Sequence, residues 1–468
     1  MRIGFTADFL TMERISLIII AFICYILGIF LLIFSETGAL MLLVLFILSG
    51  IFIAKPKIMI YLIILDPFFI FLSEYSSLAL GGSSYLSLNI GGMLGIVNLI
   101  VGISILSFKR VQITKNKMFY AIILFLGAVL LSLIFSTVGV FLYMSRFWIR
   151  YAVPVVFYFI IISEIKDSIE AEKFLKSLLI SFFIYCIFSY VMGLIVPGKM
   201  HVITENVSHD ITLTRVPING LRLIIFSFLT VFFLFSRKIQ YKWIYIVSFA
   251  VITTLLFFTY TRIGWIAFCV GFFVLGLLRY RKFFLVVLLL IAVVFSVISP
   301  LRERALLRLM PDSSSRGRIA LAQLGWGIFL KKPILGHGPG SFNVIFGQEL
   351  DTTVRGKKGK KEYGLRRTLS PHNEYIRFLA EGGIVGIITY LFVVYKGLQL
   401  SVNVLKLPPP EAKEIKDYGA FLIAMIIAML IYGITDQGFE LAGSYFFCFI
   451  AIGEIYLREL RTPQLSFR

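Results

Sequence analysis

Apolar runs long enough to cross a bilayer recur along almost the whole chain. A spanning helix needs about 20 mostly apolar residues to cover roughly 30 Å of hydrocarbon. Such runs lie near 15–34, 38–54, 56–72, 90–108, 118–137, 147–163, 174–196, 218–235, 243–260, 263–278, 283–300, 384–400, 419–435 and 439–457. Several are short, and Pro56 and Asp66-Pro67 interrupt the stretch 38–72. The pattern therefore predicts an all-α polytopic membrane protein with 12–14 transmembrane helices. The first run is too long for a cleavable signal peptide, and no small-residue cleavage site follows it.

Composition sharpens this picture. The 468 residues are 59% hydrophobic and 15% charged, with a mean hydropathy of +0.94, whereas a soluble domain carries about a quarter charged residues. Cys24, Cys186, Cys269 and Cys448 all sit inside apolar runs, so neither a disulfide framework nor a zinc knuckle is on offer. The net charge of +20 is read against membrane lipids rather than nucleic acid.

Lys and Arg are unevenly shared between the two sides. Alternate short loops, counted from the N-terminus, hold pairs to quartets of them, among them Lys109, Arg110, Lys115 and Lys117, then Arg279, Arg281 and Lys282. The opposite short loops hold Arg146, Lys199, Arg215 and Arg262. The positive-inside bias puts both termini in the cytoplasm. Three parts follow: a helix bundle over 1–300, a large outer loop over 301–383, and C-terminal helices with a cytoplasmic tail over 384–468.

The outer loop holds 15 Lys and Arg against 7 Asp and Glu. Long loops are exempt from the orientation bias, so this excess points to an anionic partner outside, or to a solvated loop near anionic headgroups. A helical pattern running from Arg316 to Lys332 and closed by Pro333 carries Arg316 and Arg318 in its first turn. Cations there oppose the helix dipole, but an anion held at that helix end would explain them. Gly336, Gly338 and Gly340 mark a sharply turned backbone. Further on, Ser370 reads as an N-cap, Pro371 as the first helical residue and Gly382-Gly383 as the stop. His372 then falls in a first turn, on one face with Ile376 and Leu379, where a helix N-terminus favours neutral imidazole able to accept a proton.

Charges inside or at the ends of spans are costly and usually line a cavity or find a partner. Arg262 lies at an outer junction between two spans, and Arg150 and Arg222 near the outer ends of theirs, with Arg146 and Arg215 in adjoining loops. With Arg316 and Arg318 they describe a basic site at the outer leaflet, shaped for a diphosphate. Asp436, at the outer end of its span, is a candidate partner for one of these arginines.

The stretch from Arg316 to Gly386, with Gly317-Arg318, Trp326, Pro333, Gly336, Gly340-Ser341-Phe342, His372-Asn373-Glu374-Tyr375 and Glu381-Gly382-Gly383, resembles the signature of the O-antigen ligase/polymerase family. Thr261-Arg262-Ile263-Gly264 is similar to that family's Ser-Arg-Gly span motif, with Thr for Ser and Ile for Gly. The resemblance implies a GT-C-like glycosyltransferase of the bacterial inner membrane with a periplasmic active site. The donor would be a glycan on undecaprenyl diphosphate, transferred with inversion to lipid A–core by a ligase or to another lipid-linked repeat unit by a polymerase. His372, Arg262 and Arg318 correspond to the family's essential residues. Arg316, Arg222, Arg150, Arg215, Asn373 and Glu374 are candidates for holding the diphosphate or the acceptor. No cofactor is implied: guanidinium groups replace a metal, and the early outer loop offers Ser35-Glu36-Thr37 rather than an Asp-x-Asp pair. A lipid-linked oligosaccharide flippase is the competing class, but it should show repeated halves around a midplane site, and no repeat is visible.

Overall fold

The computed structural model describes parts of 60–67 and residues 117–136, 141–195, 201–202, 214–215, 218–235, 241–259, 261–297, 313–345, 371–407 and 413–461. The spans expected near 15–34, 38–54 and 90–108, much of the one near 56–72, the basic tract around 355–361 and Ser370 lie outside them.

The described chain is helical almost throughout. Its elements are α1 (Lys117–Ile134), α2 (Phe141–Glu164), α3 (Ser168–Ile195), α4 (Gly220–Phe235), α5 (Lys242–Phe258), α6 (Arg262–Leu275), α7 (Arg281–Val297), α8 (Ser313–Lys331), α9 (Glu374–Leu405), α10 (Lys413–Tyr432) and α11 (Gly438–Arg461). Between α3 and α4 a two-residue strand β1 (His201–Val202) pairs antiparallel with β2 (Thr214–Arg215), setting His201 opposite Arg215. Among the described residues five helices are long and apolar enough to cross a membrane, and α4 and α5 are shorter apolar helices. This is an all-α polytopic membrane protein.

Burial follows the same logic. The middle stretches of α10 and α11 are buried on nearly every side, from Tyr418 to Met429 and from Ala442 to Leu457, as expected of helices at the centre of a bundle. Around them α2 packs on α11, α6 on α10, and α1 on α9. Outward-facing Leu124, Ile180, Trp243, Leu289 and Ile388 are exposed. So large an apolar belt suits lipid and would be a liability in water.

One helix boundary differs from those the sequence suggests. Helical hydrogen bonding runs from α6 through a π-helical turn, Gly276–Tyr280, into α7, where a loop between two spans was expected. The run is nevertheless sharply bent. Phe272 and Phe284 would stand about 18 Å apart along a straight helix, yet their ring centroids are 5.7 Å apart. In α9 two helices meet across a kink: the first ends at Gly382-Gly383, as the sequence suggests, where Gly383 is non-helical (φ 64°, ψ −162°), and the second runs on as a span to Leu405.

Candidate active site

Gly383 breaks the hydrogen-bond ladder of α9, and the glycine-rich segment after α8 takes up the freed groups. In an unbroken helix Ile384 and Val385 would donate to Ala380 and Glu381. Here Ile384 N–H donates to the Pro333 carbonyl (2.8 Å) and Val385 N–H to Ile334 (3.2 Å). The carbonyls of Ala380 and Glu381 accept from His337 N–H (3.1 Å) and Gly338 N–H (2.8 Å) instead. Such backbone-on-backbone contact leaves no room for side chains: a Cβ on Gly336 would lie 2.4 Å from the Glu381 carbonyl, and one on Gly383 2.3 Å from that of Ile334. Both residues have positive φ, +66° and +64°, a region that glycine enters freely. From α1, Ser132 Oγ donates to the Glu381 carbonyl and Ser136 Oγ to that of His337, each at 2.6 Å. His337 Nε2 donates to the Ile328 carbonyl (3.0 Å). Burial lowers the pKa of this imidazole, and Lys332 and Lys331 add to the shift against the opposing hydrogen bond.

Residues 372–374 dock on the α10–α11 turn in the same manner. Glu374 N–H donates to the Gly433 carbonyl (2.8 Å), and Asn373 Nδ2 to that of Ile434 (2.8 Å). The fully buried Glu374 carboxylate accepts from Phe439 N–H (2.8 Å) at the start of α11, where negative charge complements the helix dipole. Asn373 Oδ1 caps α9 by accepting from Ile376 N–H (2.9 Å). The helix thus begins after His372, and His372 is not in its first turn as the sequence suggested. Asn and Ser are comparable N-caps, and the contacts to the α10–α11 turn select Asn373.

His372 is left on the turn before α9 with φ +47°, an uncommon conformation outside glycine and one that recurs at functional sites. Its Nδ1 lies 3.7 Å from Asp436 Oδ1. An Nδ1–H directed at that carboxylate leaves Nε2 as the proton-accepting nitrogen. Burial alone would raise the Asp436 pKa, but the nearby His372, the hydrogen bond from Gln437 N–H and the charge of Arg318 outweigh it, so the carboxyl titrates below its ordinary 3.8. The charge of Arg318 is thus felt at Asp436.

Arg318 is exposed, on α8, which packs on α9 through Leu321, Ile328, Phe342 and Ala380. Because Ser313–Ser315 join the helix rather than precede it, Arg316 closes the first turn and Arg318 stands in the second, not the first. Arg262 is the first residue of α6, after Thr261, and is partly buried. A Cβ on Gly220, the first residue of α4, would meet Thr261 Oγ1 at 2.9 Å and Tyr432 Cε2 at 3.6 Å. Tyr432 in turn donates to Asp436 Oδ2 (3.4 Å). The starts of α4 and α6 thus meet the turn that carries Asp436, and Arg262 shares that end of the bundle with His372 and Arg318. Arg222 is buried in the first turn of α4, below the Asn219 cap. Arg150 is exposed on α2 and precedes the buried Tyr151. Arg215 sits in β2. Among the described residues no three His, Cys, Asp or Glu side chains group as metal ligands would.

One charged residue was passed over in the sequence. Arg377 is buried one turn into α9, donates through Nη2 to Tyr151 Oη, and lies 3.7 Å from the Glu381 carboxylate. The i, i+4 spacing of Arg377 and Glu381 was the available signal.

Residues 247–391 match the family model described as O-antigen ligase. That stretch is an O-antigen ligase family domain. It runs from within α5 into α9 and includes Arg262, Arg318 and the His372-Asn373-Glu374 triplet. Over 107 residues the chain is 35% identical to a Rickettsia conorii protein provisionally described as a polysaccharide ligase, covering 22% of this chain and 24% of that one. The match thus spans about a quarter of that relative's length. Together these findings support a ligase- or polymerase-type function.

Proposed function

We propose that the chain transfers a glycan from undecaprenyl diphosphate to an acceptor hydroxyl at the periplasmic face, as an O-antigen ligase acting on lipid A–core. The observation that carries this reading is the grouping of His372, Asp436 and Arg318 at the bundle end where Arg262 opens α6. The acceptor oxygen attacks the anomeric carbon opposite the diphosphate while His372 Nε2 takes its proton. The bond from the anomeric carbon to the phosphate oxygen breaks with inversion, and the lipid diphosphate leaves with the electron pair. Arg318 and Arg262 stabilise the charge that develops on it, and Asp436 holds the imidazole and balances its charge after proton transfer.

Purified protein, supplied with undecaprenyl-diphosphate oligosaccharide in EDTA and offered each acceptor separately, tests this. Product on lipid A–core, lost in His372→Ala, Arg318→Ala and Arg262→Ala, is the expected result. Elongation of lipid-linked repeats alone would make the chain a polymerase. A His372→Ala variant that still transfers glycan would remove His372 from the chemistry. The basic outer loop, suited to a phosphorylated core, is the reason for placing the ligase first.

A further inference from the structure

A cavity of about 500 Å³ opens at the π-helical turn, lined by Leu277, Leu278, Arg279, Arg281, Lys282 and Asp417 among others. It lies at the far end of the bundle from His372. Asp417 stands near the start of α10, about 22 Å along that helix from Tyr432, which leads into the Asp436 turn. On the orientation given by the Lys/Arg bias, this end faces the cytoplasm.

We propose that this cavity binds the phosphate headgroup of an anionic membrane phospholipid. Arg279 Nε donates to the buried Asp417 carboxylate, so that pair is neutral and closes the floor. Arg281 and Lys282 remain, both exposed at the rim, and give the site its positive charge. Each heads an apolar stripe at helical spacing on α7: Leu285 and Leu289, 60% and 64% exposed, follow Arg281, and Val286 and Val293, 53% and 49% exposed, follow Lys282. Two cations above two parallel greasy tracks match a phosphate carrying two acyl chains. Basic pockets between transmembrane helices on the cytoplasmic side recognise anionic headgroups in this way. The π-turn supplies the geometry by widening the backbone where α6 bends into α7.

The test is native mass spectrometry of the delipidated full-length protein, titrated with phosphatidylglycerol, with phosphatidylethanolamine of the same chains, and with inorganic phosphate. Phosphatidylglycerol should bind in preference to both. The double variant Arg281→Gln with Lys282→Gln should bind it about thirtyfold more weakly, two cations being lost from a membrane-surface site. A control double variant, Lys173→Gln with Lys406→Gln, removes the same charge elsewhere and should bind as the parent does. Equal binding by both double variants would overturn the proposal. So would equal uptake of the two phospholipids, or displacement by inorganic phosphate at the concentration at which phosphatidylglycerol binds. Glycan transfer in detergent is a separate readout, so failure here leaves the His372 site untouched.

Discussion

Replacing Gly383 by alanine sets a methyl group 2.3 Å from the Ile334 carbonyl oxygen and 2.7 Å from Gly336 N. Both are backbone atoms, so no side chain can swing aside. The backbone itself, at φ 64° and ψ −162°, lies in a region that is essentially glycine-only and costs other residues about 1–3 kcal/mol. Relieving the clash means withdrawing 333–336, which strips Ile384 and Val385 of their acceptors. Each buried N–H left unmet costs about 1–3 kcal/mol. A loss on the order of 5 kcal/mol results, comparable with the whole stability of many domains, and it falls on the joint that holds α8, and with it Arg318, against α9. The neighbouring Gly382 is the control: its Cβ would meet nothing within 4 Å, and alanine in a helix gains roughly 0.5–1 kcal/mol over glycine. Thermal unfolding in detergent, limited proteolysis around residue 335 and the transfer assay should therefore separate the variants. Gly382→Ala keeps or raises the midpoint and retains activity; Gly383→Ala lowers the midpoint, exposes the segment to protease and loses transfer. Indistinguishable behaviour of the two variants would refute the interlocked-backbone account.

Other residues of the same scaffold give sharper or milder effects. Glu374→Ala should destabilise by about 1–3 kcal/mol by leaving the Phe439 N–H unmet, and Glu374→Gln by less because an acceptor oxygen remains; denaturation midpoints decide. Asp436→Asn preserves shape but removes charge, and should lower the transfer rate about tenfold or more and, with the carboxylate's stabilising contribution gone, lower the unfolding midpoint at neutral pH. The Asp436 carboxyl titrates below 3.8, so its stabilising contribution is present above that value and lost only as pH falls beneath it. Any activity limb between pH 5 and 8 must then survive in a variant at 436 that retains measurable turnover. His337 has its pKa lowered from 6.5 by burial, so its contribution is complete above pH 6.5 and declines as pH falls from there through the folded value. The unfolding midpoint should drop between pH 7.5 and 5.5, and His337→Gln should flatten that dependence.

The spans were legible because lipid imposes a condition that each segment satisfies by itself: α1, α3, α4, α5, α10 and α11 begin and end within several residues of the apolar runs. His372, Arg318 and Arg262, on which the proposed chemistry rests, also stood out in the sequence as unusual where they stand. What stayed hidden was pairing at a distance. Gly382-Gly383 was legible as a helix stop, but the acceptors that let a second helix start at once belong to Pro333 and Ile334, some fifty residues earlier. Ser370 and Asn373 offered two equivalent caps, and the choice rests on carbonyls at 433 and 434. Asp436 was visible as an acid at a span end, but nothing local marks it as the neighbour of His372.

These long-range pairings share a physical reason. The His372 end of the bundle is polar and cannot be fixed by burying large side chains, so the chain fixes it by exchanging backbone hydrogen bonds between segments. The charges divide accordingly. Arg377, Glu381 and Glu374 are buried and set shape, because a buried charge persists only with partners that define one geometry. Arg318 is exposed, and Arg262 and His372 are partly so, as the roles proposed for them toward a diphosphate and a hydroxyl require. Electrostatic stabilisation of a leaving diphosphate depends on cations already in place before charge develops. Holding Arg318 and His372 through the backbone of α8 and α9 places them without covering them.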